Sequence, residues 1–391
     1  MTAPVRGRRG IAAVAYLGML AFGIVLTTLG SVLPSLVERF GLEKADAGAL
    51  FTILSFGILL GSLVFGPVVD RRGYKGMLLL ALILIVAGLE GIASASSPGL
   101  LRIAVALIGF GGGIVNGGTN ALVADVSAEG RGAGLSLLGV FFGIGAAGVP
   151  FALALLLDRA SYATLVAALG ALVLVPIVVA AITRFPTPKL AQGFPLAEAG
   201  RLLRDPVLLL FGFMLFLESG MEITVGGWTA TYFQEELAVT GQRALGFLSL
   251  YWLGMMLARI ALGAVLRRAA PGRVLLTCLG IALAGSMLLL GTHSVGAAAV
   301  GVFLLGAGLA ATFPVVLGLV GDRYALLSGT AFSVVIVMAL AGGMVLPFAT
   351  GALGEAHGLR ASFLIVPAAL LLLAILLTVV SRRLATRPLP A

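Results

Sequence analysis

Along the chain, apolar stretches of about 20 residues or more alternate with short segments rich in charge, glycine and proline. A stretch of that length crosses a bilayer only as a helix, because lipid offers no partner for backbone N–H and C=O groups. Twelve spans are expected, near 11–36, 46–69, 76–96, 100–124, 131–157, 161–183, 206–234, 243–266, 273–292, 295–320, 328–353 and 359–381. The one long hydrophilic connection, Arg184 to Asp205, carries Pro186, Pro188 and Pro195 and follows the sixth span. It divides the sequence into a six-helix bundle over 1–184, a cytoplasmic linker over 185–205 and a second six-helix bundle over 206–391. The first apolar run is expected to be a mature helix, since no small-residue cleavage site stands behind it.

Composition narrows the class. Of the 391 residues 60% are apolar and 10% charged, against roughly 25% charged in soluble proteins, which excludes a soluble enzyme. Mean hydropathy is +1.16, and the 55 glycines follow no triplet period, so neither a disordered nor a collagen-like chain fits. The net charge of +9 reads as a topology signal and gives no cause to expect a nucleic-acid partner. With a cytoplasmic N-terminus, the inner segments hold 18 Lys/Arg and the outer segments six, leaving Arg259 inside span eight. That bias puts both termini inside an inner or plasma membrane, with anionic lipid as the electrostatic partner. The lone Cys278 and the separated His293 and His357 exclude an intramolecular disulfide and make a metal site unexpected. No Walker lysine follows the Gly109–Gly113 run, no cofactor is implied, and any pumping must draw on a gradient.

An internal repeat organises the rest. Sliding the chain by 197 positions aligns Gly23 with Gly220, Gly57 with Gly254, Arg71 with Arg268, Gly109 with Gly306, Gly111 with Gly308, Asp125 with Asp322, Gly145 with Gly342 and Pro150 with Pro347. Six is even, so both halves insert with the same sense, and transporters of this build place the substrate between the halves. Residues shared by the halves should serve packing, whereas those present in only one half are candidates for chemistry. The unshared polar residues within spans include Glu218 (opposite Ala21), Glu222 (Val25), Arg259 (Ser62), Trp228 (Ser31), Asn116 (Phe313) and Asn120 (Leu317).

Glu218 and Glu222 lie one turn apart on one face of span seven, at mid-bilayer depth, where two ionised carboxylates cannot coexist cheaply. At least one is expected to hold a proton near neutral pH. Glu222 is read as the coupling residue, and Glu218 either shares that role or balances Arg259, which lies nearer its depth. Asn116 and Asn120, the only asparagines, are four apart in a glycine-rich stretch of span four that also holds Thr119. Their amides suit hydroxyl groups of a solute, or else bond neighbouring helices. Trp228 either stacks on a sugar ring or belongs to the outer aromatic belt, and Thr27 of span one is a weaker candidate for solute contact.

Gly66-Pro-Val-Val-Asp70-Arg71-Arg72-Gly73-Tyr-Lys75, between spans two and three, resembles the signature loop of the major facilitator superfamily, as do the length, the twelve spans and the central linker. The resemblance implies an all-α membrane fold of two pseudo-symmetric six-helix bundles. It also implies a cytoplasmic latch built by Asp70, Arg71 and Gly73, with Arg131 as partner. The second half departs from the pattern, with Arg267 in place of the acid. Glu222 with Gly226-Gly227-Trp228, the two asparagines and Phe313-Pro314 resemble the fucose-permease-like branch of sugar:cation symporters. Gly148-Val149-Pro150 lacks the trailing glycines of the antiporter motif in span five. The implied function is not enzymatic: a monomer that imports a small neutral hydroxylated solute with a proton by alternating access. Sodium coupling and proton-driven efflux of apolar compounds are the rival transport modes. A non-transporting sensor would want a large cytoplasmic domain, and the longest inner segment is the one from Arg184 to Asp205.

Overall fold

The computed structural model describes residues 8–126, 131–185, 204–324 and 328–386, with the side chains of 8, 70, 124–126, 131–136, 328–329 and 382–386 left aside. Among the described residues every regular element is helical: α1 Arg8–Phe40, α2 Lys44–Arg72, α3 Tyr74–Ser94, α4 Pro98–Val126, α5 Arg131–Leu156, α6 Tyr162–Ile182, α7 Pro206–Leu237, α8 Gly241–Val265, α9 Pro271–Gly291, α10 Val295–Leu309, α11 Thr312–Arg323, α12 Ser328–His357, α13 Leu359–Ser362 and α14 Ile365–Thr386. Among the described residues twelve spans are long and apolar enough to cross a membrane, from Arg9–Phe40 to Leu359–Ser381. Large apolar side chains such as Leu155, Val178 and Ile375 stay exposed, as a lipid-facing surface requires.

Two spans expected to be continuous are broken. α10 and α11 together make span ten, interrupted at Ala310–Ala311, and α13 and α14 make span twelve, interrupted at Phe363–Leu364. Each break has a proline four residues past it. Pro314 has no N–H for the carbonyl of Ala310, and Pro367 has none for that of Phe363, which is bonded instead by the Val366 amide at 3.0 Å.

The chain forms two compact units, one of residues 1–42 and 53–193, the other of 43–52 and 194–391. Bonds that tie 43–52 to the rest of the second unit include Lys44 Nζ to Glu235 at 2.9 Å, the Ala45 amide to Glu355 at 3.2 Å, and the Thr52 hydroxyl to the Met344 carbonyl at 2.9 Å. In the first unit α1 packs on α5, and α3 on α4 and α6; in the second α7 packs on α12, and α9 on α10 and α14. The pairings match span for span. Shared glycines mark the same crossings: a methyl built on Gly111 would sit 2.6 Å from the Ala81 carbonyl oxygen, and one on Gly308 would sit 2.6 Å from that of Cys278. Ala81 and Cys278 are themselves 197 apart. Likewise a methyl on Gly109 would meet the Leu54 carbonyl, and one on Gly306 that of Tyr251. Small residues allow this approach in lipid, where packing rather than water drives helix association.

Helix ends repeat too. α1 ends at Gly41 with φ +60°, and α7 ends at Ala238 with φ +52°, the same position in the repeat but without glycine's freedom. α2 ends at Gly73, whose φ of +79° and amide bond to the Val69 carbonyl at 2.7 Å give the loop glycine a backbone reason. Where the linker meets α7, Asp205 accepts from the Val207 amide at 2.8 Å and from the Tyr324 hydroxyl at 2.8 Å. Burial and this bond push the Tyr324 phenol well above its ordinary range.

Candidate functional site

α7 is the most enclosed of the spans, with 67% of its apolar window buried, so its acidic residues face protein rather than lipid. Glu218 is 1% exposed. One turn on, Glu222 accepts from Arg259 Nη2 of α8 at 3.3 Å, with the two side chains 14% and 25% exposed. Glu218 interacts directly with Glu222 and feels the charge of Arg259. Its Oε1 atom is buried with no hydrogen bond among the described residues. The 3.3 Å ion pair joins Arg259 to Glu222, although the sequence places Arg259 nearer the depth of Glu218. A side chain as long as arginine's easily covers one helical turn.

Charge counting defines what this cluster can do. Two carboxylates and one guanidinium sum to −1, and one bound proton makes the group neutral. A neutral cluster is far cheaper to enclose than a charged one, so a proton taken and released here changes the free energy of enclosure.

Tyr251 was missed in the sequence. Its side chain is fully buried in α8, its hydroxyl has no hydrogen bond among the described residues, and it interacts electrostatically with Glu218, Glu222 and Arg259. The signal was available, because Tyr251 stands opposite Leu54 in the repeat and so is polar in one half only.

In the first unit, Asn120 Nδ2 donates to the Asn116 carbonyl at 2.9 Å and to its Oδ1 at 3.1 Å. Both residues are part-exposed, and Asn116 Nδ2 and Asn120 Oδ1 make no hydrogen bond among the described residues. One amide donor and one amide acceptor are thus left over, a complement suited to a hydroxyl group.

Three further candidates are buried and bonded within the protein. The Thr119 hydroxyl donates to the Asn116 carbonyl at 3.3 Å while its methyl packs on Gly18, and the residue is fully buried. Thr27 donates to the Gly23 carbonyl of its own helix at 2.9 Å. Trp228, 0% exposed, donates through Nε1 to the Pro347 carbonyl at 3.1 Å and lies 6.2 Å from the Phe51 ring, inside the second unit. Of the loop candidates, Gly73 is described above and Arg71 is exposed, while the side chains of Asp70 and Arg131 lie outside the described residues.

The sequence profile of the Major Facilitator Superfamily matches residues 15–325 and 248–391. An MFS-type transporter of Bacillus subtilis is 23% identical over 356 residues, covering 89% of this chain and 90% of its own. A transporter of Sinorhizobium fredii is 25% identical over 388 residues, covering 96% and 98%. Among solved structures, a D-xylose-proton symporter superposes with a TM-score of 0.80 at 16% identity over 94% of this chain and 97% of its own. A nucleoside transporter reaches 0.79 at 15% identity, covering 95% and 99%. With twelve apolar spans in two matching units, and a profile match that runs nearly end to end, the chain is a multi-pass membrane protein and belongs to the major facilitator superfamily.

Proposed function

We propose that this transporter carries a small neutral hydroxylated solute, of the monosaccharide class, together with a proton by alternating access. The observation that carries the reading is the cluster of Glu218, Glu222 and Arg259, which is neutral with one proton bound. Cargo recognition is assigned to the paired amides of Asn116 and Asn120, whose bonding leaves one amide donor and one acceptor available. The similarity in fold to a D-xylose-proton symporter agrees with this reading. A partial relative, a 4-hydroxybenzoate transporter of Pseudomonas aeruginosa, is 28% identical over 182 residues and places a hydroxylated aromatic acid among the solutes to screen.

Either Glu→Gln substitution in the cluster leaves one carboxylate for one guanidinium and removes the titrating proton. Glu222→Gln protein in proteoliposomes should therefore exchange labelled monosaccharide across the membrane yet fail to concentrate it under a pH gradient. Concentration that persists in the variant, or that a sodium gradient alone drives in wild type, would refute proton coupling. Outward movement of apolar compounds without uptake of any sugar would assign the protein to efflux.

A further inference from the structure

The two units differ in charge at one matching turn. Between α2 and α3, Asp70 stands in sequence beside Arg71 and Arg72, and Lys75 donates to the Ala181 carbonyl at 2.6 Å. Between α8 and α9, Arg267 takes the place of Asp70 and Arg268 that of Arg71, and Arg273 follows in the first turn of α9. No acidic residue occurs from Leu237 to Gly321. The side chains of Arg267, Arg268 and Arg273 are exposed, and none makes an ion pair or hydrogen bond among the described residues. The connection is compact: the amides of Arg268 and Ala269 return to the Val265 carbonyl at 2.9 and 3.0 Å, and that of Arg273 to the Ala270 carbonyl at 3.0 Å. Three positive charges are thus gathered at one turn, with no acid on either helix to balance them.

Solvated arginines alone would mark no more than orientation. Here they stand at the ends of two exposed apolar stripes. On α8, Leu257, Ile260 and Ala264 recur at the spacing of one helical face, which Arg268 continues; on α9, Leu276, Gly280 and Met287 share a face with Arg273. Ile260, Leu276 and Met287 are each more than half exposed. Gly280 notches the second stripe, since a methyl built there meets nothing within 4 Å. A molecule that fits this surface is anionic at one end and apolar along the rest. The guanidinium fork matches phosphate oxygens. A zwitterionic headgroup fits less well, because it brings a cation of its own and the turn has no acid to receive it.

We infer that the α8–α9 turn binds the headgroup of an anionic phospholipid in the leaflet that the basic residues mark as cytoplasmic, with Arg267, Arg268 and Arg273 on the phosphate and the acyl chains along the two stripes. The matching turn of the first unit, with Asp70 among its basic residues and Lys75 already engaged, is not such a site. The assignment is independent of the cargo and of proton coupling.

The test is thermal melting of purified protein in neutral detergent, titrated with phosphatidylglycerol, with phosphatidylcholine or with inorganic phosphate, since a ligand of the folded state raises the melting temperature by mass action. Phosphatidylglycerol should raise the wild-type melting temperature at lower concentration than phosphatidylcholine, and inorganic phosphate at the same concentrations should not raise it. Combining Arg267→Gln, Arg268→Gln and Arg273→Gln should increase the phosphatidylglycerol concentration needed for half the shift by about a hundredfold, at about fivefold per basic residue near an anionic surface. Arg71→Gln with Arg72→Gln should leave that concentration unchanged. If the triple variant is poorly folded without lipid, each single Gln variant carries the comparison at about fivefold. Equal shifts from the two lipids overturn the proposal, as does a shift from inorganic phosphate as large as that from phosphatidylglycerol. An unchanged midpoint in the α8–α9 variants, or an equal loss in the Arg71 and Arg72 variant, overturns it as well.

Discussion

Replacing Arg259 by Met keeps an unbranched apolar stem and removes the cation that interacts with Glu218 and Glu222. At 3.3 Å the pair's Coulomb energy is ~5 kcal/mol for an effective dielectric near 20. Water reaches both partners, 25% and 14% exposed, and the desolvation already suffered offsets much of that gain. The variant has a way out that the wild type does not need: Glu222 can bind a proton. The folded variant then holds a proton that the unfolded chain has released to water above the ordinary glutamate pKa of about 4.3, so its stability falls as pH rises. Near pH 5 the loss should be small. It should grow by up to about 1.4 kcal/mol per pH unit and level off at about 3–5 kcal/mol, where leaving an unpaired buried charge costs no more than holding the proton. Thermal melts of purified protein at pH 5, 6, 7 and 8 measure this directly. The gap in melting temperature between wild type and Arg259→Met should widen with pH, and adding Glu222→Gln should close it again at high pH. A gap that is constant with pH, or one that the second substitution does not close, would refute the charge balance assigned to this cluster.

Asn116→Ala should weaken cargo binding by about 1–3 kcal/mol, read by equilibrium binding, because a solute hydroxyl would lose its amide partner; unchanged affinity would return the residue to helix packing. Ala238→Gly should raise stability by about 1 kcal/mol, read by thermal melting, since only the second unit closes its first helix without glycine. Gly308→Leu should cost about 1–3 kcal/mol or prevent insertion, because a side chain there meets the Cys278 carbonyl, whereas Gly280→Ala, with nothing within 4 Å, should be silent by the same measurement.

Much of the architecture was legible because lipid enforces it: backbone groups must be satisfied within each span, so length and hydropathy mark the helices. The repeat was legible for a related reason, as the glycines that let α2 meet α4 and α8 meet α10 recur in one register. The breaks in spans ten and twelve were not seen, although Pro314 and Pro367 were in view, because a proline within a span often stays helical, as Pro34, Pro150 and Pro347 do here. At the site, Glu218, Glu222 and Arg259 stood out as charges within apolar runs. Their pairing did not, since sequence depth says nothing of how far an arginine side chain reaches. Tyr251 was hidden by its ring, which reads as apolar until the hydroxyl is found without a partner. The surroundings of Trp228 were equally out of sight, because nothing in the sequence points to its bond with the Pro347 carbonyl or its place beside Phe51.

The central claim, that cargo moves with a proton held by the Glu218–Glu222–Arg259 cluster, is tested most directly by the pH inside the vesicle. Proteoliposomes with a trapped pH-sensitive dye and no imposed gradient are given a labelled monosaccharide outside, and dye signal and label are followed together. The wild-type lumen should acidify as sugar enters, whereas Glu218→Gln and Glu222→Gln vesicles should take up sugar to equilibrium with no change in pH. Sugar entering wild-type vesicles at constant lumenal pH would contradict the account.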